Sequence, residues 1–360
     1  MKRLAVTLVV LCSCAHGGGT SSAKATAAGP NGPVQVQDSI HGVVYELLPG
    51  AETWQVSRDG NAHTASGVQV DVSSFPMARQ ATPAGCREHA RTRLSGKKEP
   101  DPRSATAVDP PRDQTVGDTP TATWSFTTGP ASAPVRKRWA FYARGADCLV
   151  LDVSAGGGEV FADQSFATAA RSFKVLELPP ERQREIDLLA GMSFLERREP
   201  ESALDRFEGL TGREPAMAKA HFGALMAGFE IGQKAYARAL PHGKAALKAD
   251  RDLTSDQREL ALRAVGVMQL AENEIKDAAS TLAELVVRAP NLAEGQYNYA
   301  CALARLGDRG GALDHLQKAI RLNADLAAHA RDDEDLKSLR GTREFLQLLE
   351  TPQAAETGRN

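Results

Sequence analysis

Residues 293–325 decide the architecture of the C-terminal half: AEGQYNYACALARLGDRGGALDHLQKAIRLNAD. Two helical runs flank Gly307-Asp308, which marks a turn. Counted from Ala293, small residues stand at the eighth, twentieth and twenty-seventh places, Ala300, Ala312 and Ala319. Two helices that approach closely and stack on a following pair leave no room for larger side chains there.

With Gly307 as the fifteenth place, the frame extends backward. Gly266, Ala278 and Pro290 occupy the eighth, twentieth and thirty-second places of a unit beginning near Glu259. Gly191 and Ala203 fit a unit from about Arg184. The unit between, about Ala218 to Asp250, has Gly232 at its turn. It needs two extra residues to bring Ala239 and Ala246 into register, and Pro241 is expected to interrupt its second helix. Four units of this kind resemble tetratricopeptide repeats, and the resemblance implies an all-α solenoid over residues 179–326. The competing reading is an unrelated helical bundle.

The same resemblance implies that the second, fifth, ninth, twelfth and thirteenth places of each unit line a concave groove. Carried over residue by residue, these include Leu188, Met192 and Leu195, then Phe222, Met226 and Phe229. Arg263 and Val267 follow, then Tyr297, Cys301 and Arg305. Such a lining can repack around a guest helix or extended peptide. It lacks the Lys/Asn/Arg set with which some relatives clamp a C-terminal carboxylate. The alternative is that the protein fills the groove itself, with its N-terminal domain or its last helix. Residues 327–350 are expected to cap the array: Asp332-Asp333-Glu334-Asp335 reads as a solvated helix start, and Leu336, Leu339, Phe345 and Leu349 form an apolar stripe. Residues 351–360 are expected to be a disordered tail.

At the other end, Lys2 and Arg3 precede an apolar run from Leu4 to Leu11, then Cys12-Ser13-Cys14. About eight apolar residues make ~12 Å of helix, far short of a bilayer core of ~30 Å. A basic start and a short apolar stretch describe an export signal, residues 1–13. Leu11-Cys12-Ser13-Cys14 resembles the lipobox of bacterial lipoproteins, which implies acylation of Cys14. The expectation is then a lipid-anchored protein of the cell envelope, at the outer membrane, on its periplasmic side or surface. An ordinary secretory peptide is the alternative. Residues 14–33, rich in Gly, Ser and Ala, read as a flexible tether with a reach on the order of 25 Å.

An oxidising compartment bears on the cysteines. Cys86 and Cys148 both fall in the N-terminal half and form the natural disulfide pair, the alternative being two separate buried thiols. Cys301 is left odd, within a helical pattern, as a buried free thiol.

Residues 34–178 alternate like strands at Val43–Leu47, Val68–Val72, Thr121–Thr127 and Val135–Ala143. Cys148–Val153 is continuously apolar and reads as a central strand. In the Val135 strand, Trp139 and Phe141 share one face, and Arg136 and Arg138 are expected on a wet one. Helices are expected at Pro83–Leu94 and Glu159–Lys174, the second with Phe166, Ala169, Ala170 and Phe173 on one side. Lys97 to Pro120 reads as a long exposed loop. The result is an α+β domain, an antiparallel sheet with helices. Over residues 40–177 it resembles PsbP/Mog1-type domains, which are mostly binding or assembly factors. Leu178-Pro179-Pro180 marks the boundary between the two domains.

With 360 residues and a net charge of −2, the chain has material for two domains and no electrostatic case for nucleic acid. Gly156-Gly157-Gly158 has no accompanying Gly-Lys-Ser/Thr, and Glu159 takes the place of a phosphate. Ser95-Gly96-Lys97-Lys98 lacks the partner motifs of penicillin-binding enzymes. The eight histidines, His221, His242 and His315 among them, are scattered without metal-ligand spacing. The expectation is a non-enzymatic interaction scaffold with a protein or peptide partner, no metal and no cofactor. The alternative is a small-ligand or assembly module in the N-terminal domain, with the repeats merely structural.

Overall fold

The computed structural model describes residues 23–27, 32–49, 53–58, 60–94, 106–116, 119–157, 159–249 and 252–350. The signal, Cys14 and the 351–360 tail lie outside them. The chain forms two compact units: the described residues up to Phe75 with Ala81–Glu177, and Pro76–Gln80 with Leu178 onward.

The first unit holds two antiparallel sheets. Strands β1 (Lys24–Ala27), β2 (Val34–Asp38), β3 (Val43–Leu47) and β11 (Lys174–Val175) make one, in the order β1-β2-β3-β11. The other runs β4-β5-β6-β10-β9-β8-β7. Its strands are β4 (Gln55–Val56), β5 (Ala62–His63), β6 (Gln69–Pro76), β7 (Thr106–Val116), β8 (Thr119–Thr128), β9 (Val135–Arg144) and β10 (Asp147–Ala155). Helix α1 spans Pro83–Leu94 and α2 Glu159–Ser172. The main core joins Val36, Tyr45 and Leu47 of the first sheet to Val70, Tyr142, Leu149 and Leu151 of the second, with Ala162, Ala169 and Ala170 of α2. Phe173 stacks on Tyr142 with ring centroids 4.1 Å apart. Cys86 of α1 is bridged to Cys148 of β10, Cα–Cα 5.6 Å.

Three expectations are corrected here. The tether is not coil throughout: Lys24–Ala27 pair with Val34–Asp38, Lys24 opposite Gln37 and Ala27 opposite Val34. The free edge of β2 offers unpaired amides and carbonyls, and Lys-Ala-Thr-Ala contains no Gly or Pro to refuse them. The 97–120 loop contains strand β7 and the start of β8. Pro110 and Pro111 are tolerated because β7 is an edge strand and its register shifts between Asp109 and Arg112, so no ladder amide is demanded of them. Finally, the Arg136/Arg138 face is not wet. Arg138 is 1% exposed beneath α2, paired with Asp163, and Arg136 lies 3.5 Å from Glu159. Two carboxylates one helical turn apart meet two arginines on one strand face.

In the second unit, four helical hairpins follow one another: α3 (Pro180–Glu196) with α4 (Pro200–Arg213), α5 (Ala218–Ile231) with α6 (Tyr236–Lys248), α7 (Ser255–Ala271) with α8 (Ile275–Arg288), and α9 (Ala293–Leu306) with α10 (Arg309–Leu322). Helices α11 (Leu326–Asp332) and α12 (Arg343–Glu350) close the described chain. The repeat shows in the backbone: Arg198, Gly232, Asn273 and Gly307, each at the fifteenth place of its unit, all have positive φ. The small twentieth-place residues Ala203, Ala278 and Ala312, and Ala239 in the lengthened second unit, are 0% exposed.

Pro241 does not interrupt α6, which runs unbroken through it. A short 3₁₀ turn, Gln233–Ala235, absorbs the extra residues before α6 begins. Pro241 and Ala237, whose carbonyl loses its amide partner, are both exposed, so water can replace the missing bond.

Candidate functional site: a helical face open at one end and closed at the other

The first helices of the hairpins, α3, α5, α7 and α9, pack in succession against one another. Close approach is secured by small residues. A Cβ at Gly191 would lie 2.5 Å from Phe207, and one at Gly223 2.4 Å from the same ring. Phe207, 0% exposed, therefore fills the space between α3 and α5 that a larger residue on either helix would take.

Along α3, Leu188, Met192 and Leu195 pack only partly buried against the first cluster of the unit. Phe222 and Phe229 of α5 do likewise with the next cluster, Phe229 stacked on Tyr236 at 6.4 Å. Met226 is nearly closed off, 9% exposed. Arg263 and Val267 of α7 are half-buried. These residues bring aliphatic, thioether and aromatic surface together on three successive helices.

The fourth hairpin differs. Tyr297 and Cys301 are 5% and 2% exposed, because the segment after α11 lies over them. Tyr297 donates its hydroxyl to Asp333 Oδ2 at 2.7 Å, and the Cys301 thiol faces the same oxygen at 3.9 Å. Arg305 reaches Asp335 Oδ1 at 3.1 Å, the Leu270 carbonyl at 2.8 Å and Asn273 Oδ1 at 2.7 Å. Ser338 donates to the Ala304 carbonyl, and Leu336 is fully buried. The residues that cover this end, 333–338, lie between α11 and α12, ahead of the last helix that the sequence reading weighed.

The acidic run is thus not simply a solvated helix start. Asp333 and Asp335 turn inward, while Glu334 pairs with Arg340 at the surface. Burial raises the Asp335 carboxyl against the opposing pull of Arg305. Burial and the two aspartates push the Cys301 thiol well up, and burial with the neighbouring Cys301 and Asp333 raises the Tyr297 phenol. The ligand atoms of Cys301, Asp333 and Asp335 lie within 4.8 Å of one another. Arg305 already supplies a cation there.

Sequence reading missed a histidine pair. His221 of α5 and His242 of α6 face each other, Nδ1 to Nδ1, at 2.9 Å. His221 Nε2 meets the Pro215 carbonyl at 2.9 Å, so that nitrogen carries a hydrogen and its Nδ1 accepts from His242 when the pair is neutral. The two residues are 21 apart in sequence, a distance that only the hairpin closes. His315 is likewise structural, bonded to the buried Gln296 at 2.6 Å.

No protein-family model and no curated protein matches the chain. Solved structures similar to it match in the helical half. They include MamA from Desulfovibrio magneticus RS-1, at 20% identity and TM-score 0.36, covering 47% of this chain and 94% of that one. YrrB, described as a TPR protein with an unusual peptide-binding site, is 16% identical with TM-score 0.39 over 47% of this chain and 84% of its own. PilF of Pseudomonas aeruginosa is 19% identical with TM-score 0.33, over 47% and 68%.

Proposed function

We propose that this protein is a lipid-anchored scaffold of the bacterial cell envelope that holds a peptide segment of a partner protein on the face formed by α3, α5 and α7. The observation that carries the proposal is the contrast along that face. Tyr297, Cys301 and Arg305 are covered by the chain itself, whereas Leu188, Met192, Leu195, Phe222 and Phe229 are left partly exposed. A guest helix or extended peptide with apolar anchors would bury that surface. The anchor at Cys14 is supported by Leu11-Cys12-Ser13-Cys14 and the basic, apolar start before it. Among the described residues no helix is long and apolar enough to cross a membrane. The PsbP/Mog1-type resemblance of residues 40–177 adds a second contact surface to the proposal.

Site-specific photo-crosslinking from position 222 in envelope preparations tests the groove. A discrete adduct, lost when Met192→Ala and Phe229→Ala are combined in a folded variant, is expected; adducts unchanged by that pair would refute it. Labelling with a fatty-acid analogue tests the anchor, and equal incorporation into Cys14→Ala would remove it.

A further inference from the structure

The first unit carries a cavity of about 230 Å³ on the α1 side of the larger sheet, lined by Ser73, Phe75, His89, Ala90, Trp139, Val150 and Asp152. Alternation places it there. Val70 and Val72 of β6 point into the main core, so Ser73 and Phe75 share the opposite face, and Phe75 stacks on His89 of α1 with centroids 5.4 Å apart. Trp139 and Asp152 sit directly opposite each other on β9 and β10. The Cys86–Cys148 bridge ties the two remaining walls, α1 and β10, one turn from His89 and two residues from Val150.

Of the polar atoms at this site, Trp139 Nε1, a donor, and Asp152 Oδ1, an acceptor, lack hydrogen-bond partners among the described residues. The charge of Asp152 is already met by Lys137, 2.6 Å from its other oxygen. Neither an anion nor a cation is therefore called for. What remains unmet is one acceptor for the indole N–H beside one donor for the carboxylate, against aromatic walls. We propose that this cleft binds a small, flat, uncharged molecule whose polar head presents a donor next to an acceptor, as an amide or lactam does. The volume admits one ring with its head group and little more. The site is independent of the helical face.

Ligand-observed NMR on the full chain tests it with three probes of one shape: benzamide, benzoate and benzylamine. Benzamide is expected to bind saturably, with the two charged probes about tenfold weaker. Trp139→Phe should weaken benzamide about fivefold. Ser73→Trp, which fills the mouth from an exposed position, should abolish binding while near-ultraviolet circular dichroism stays native. No saturation by benzamide, or binding indifferent to Ser73→Trp, overturns the site. Tighter binding of benzoate or benzylamine overturns the ligand class.

Discussion

Tyr297 of α9 and Asp333, 36 residues later in the chain, share a hydrogen bond of 2.7 Å that seats the C-terminal segment on the fourth hairpin. The same seat buries Cys301, whose thiol is kept protonated by desolvation and two nearby carboxylates. Since the thiolate is the reactive form, native Cys301 should alkylate with iodoacetamide at pH 8 at least ~10-fold more slowly than in denaturant. Asp333→Ala with Leu336→Ala should restore much of the lost rate, read by mass spectrometry of the Cys301 peptide. Equal rates in the native and denatured wild type would mean the segment does not close this end.

The Cys86–Cys148 bridge closes a loop with a sequence separation of 62. In the chain-entropy model such a link stabilises by about 4 kcal/mol. Reduction, or Cys86→Ala with Cys148→Ala, should lower the unfolding midpoint of the first unit and leave that of the helical unit in place. Denaturant titrations with and without reductant separate the two, tryptophan fluorescence reading the first unit, which holds Trp54, Trp124 and Trp139, and far-ultraviolet circular dichroism at 222 nm reading the helical one.

The helical half was legible because its repeats write the same constraint several times. Gly191, Gly266, Ala278 and Ala312 are small where helices touch, and a frame set by one unit located the others. What escaped was whatever depends on long-range closure. Arg138 reads as surface until Asp163 of α2 is laid over it. Pro110 and Pro111 read as loop until an irregular edge strand gives them a place. His221 and His242 mean nothing apart. No local pattern told that Asp333 would return to cover Tyr297.

Two hairpins make their left-handed turn with a residue that bears a Cβ: Arg198 at φ 61° and Asn273 at φ 63°. Gly232 and Gly307 occupy the same place in the other two. Arg198→Gly should stabilise the helical unit by about 1 kcal/mol, and Asn273→Gly by less, since Asn tolerates this region better. The Arg198–Glu230 pair given up is long, 3.6 Å, with Arg198 largely exposed, and contributes little. Thermal unfolding of the two variants checks the order, and a lower midpoint for Arg198→Gly would contradict a strained positive φ at Arg198.

The histidine pair is expected to make the second hairpin acid-sensitive. Burial, then the neighbouring His221, depresses His242 below its ordinary value, with Glu208 opposing and Arg238 adding to the effect. A depressed histidine is held neutral in the fold and gains a proton more readily when unfolded. Its stabilising contribution is therefore present above about pH 6.5 and falls away as pH drops below it. The carboxylates held low by their partners, Asp205 beside Arg79 and Arg238 and Glu284 beside Arg258 and Arg288, lose their contributions only below the ordinary carboxylate range, so the windows separate. Between pH 7.5 and pH 5.5 the midpoint of the helical unit should fall in the wild type and fall less in His242→Gln. An identical slope in both would show that the pair does not carry the acid response.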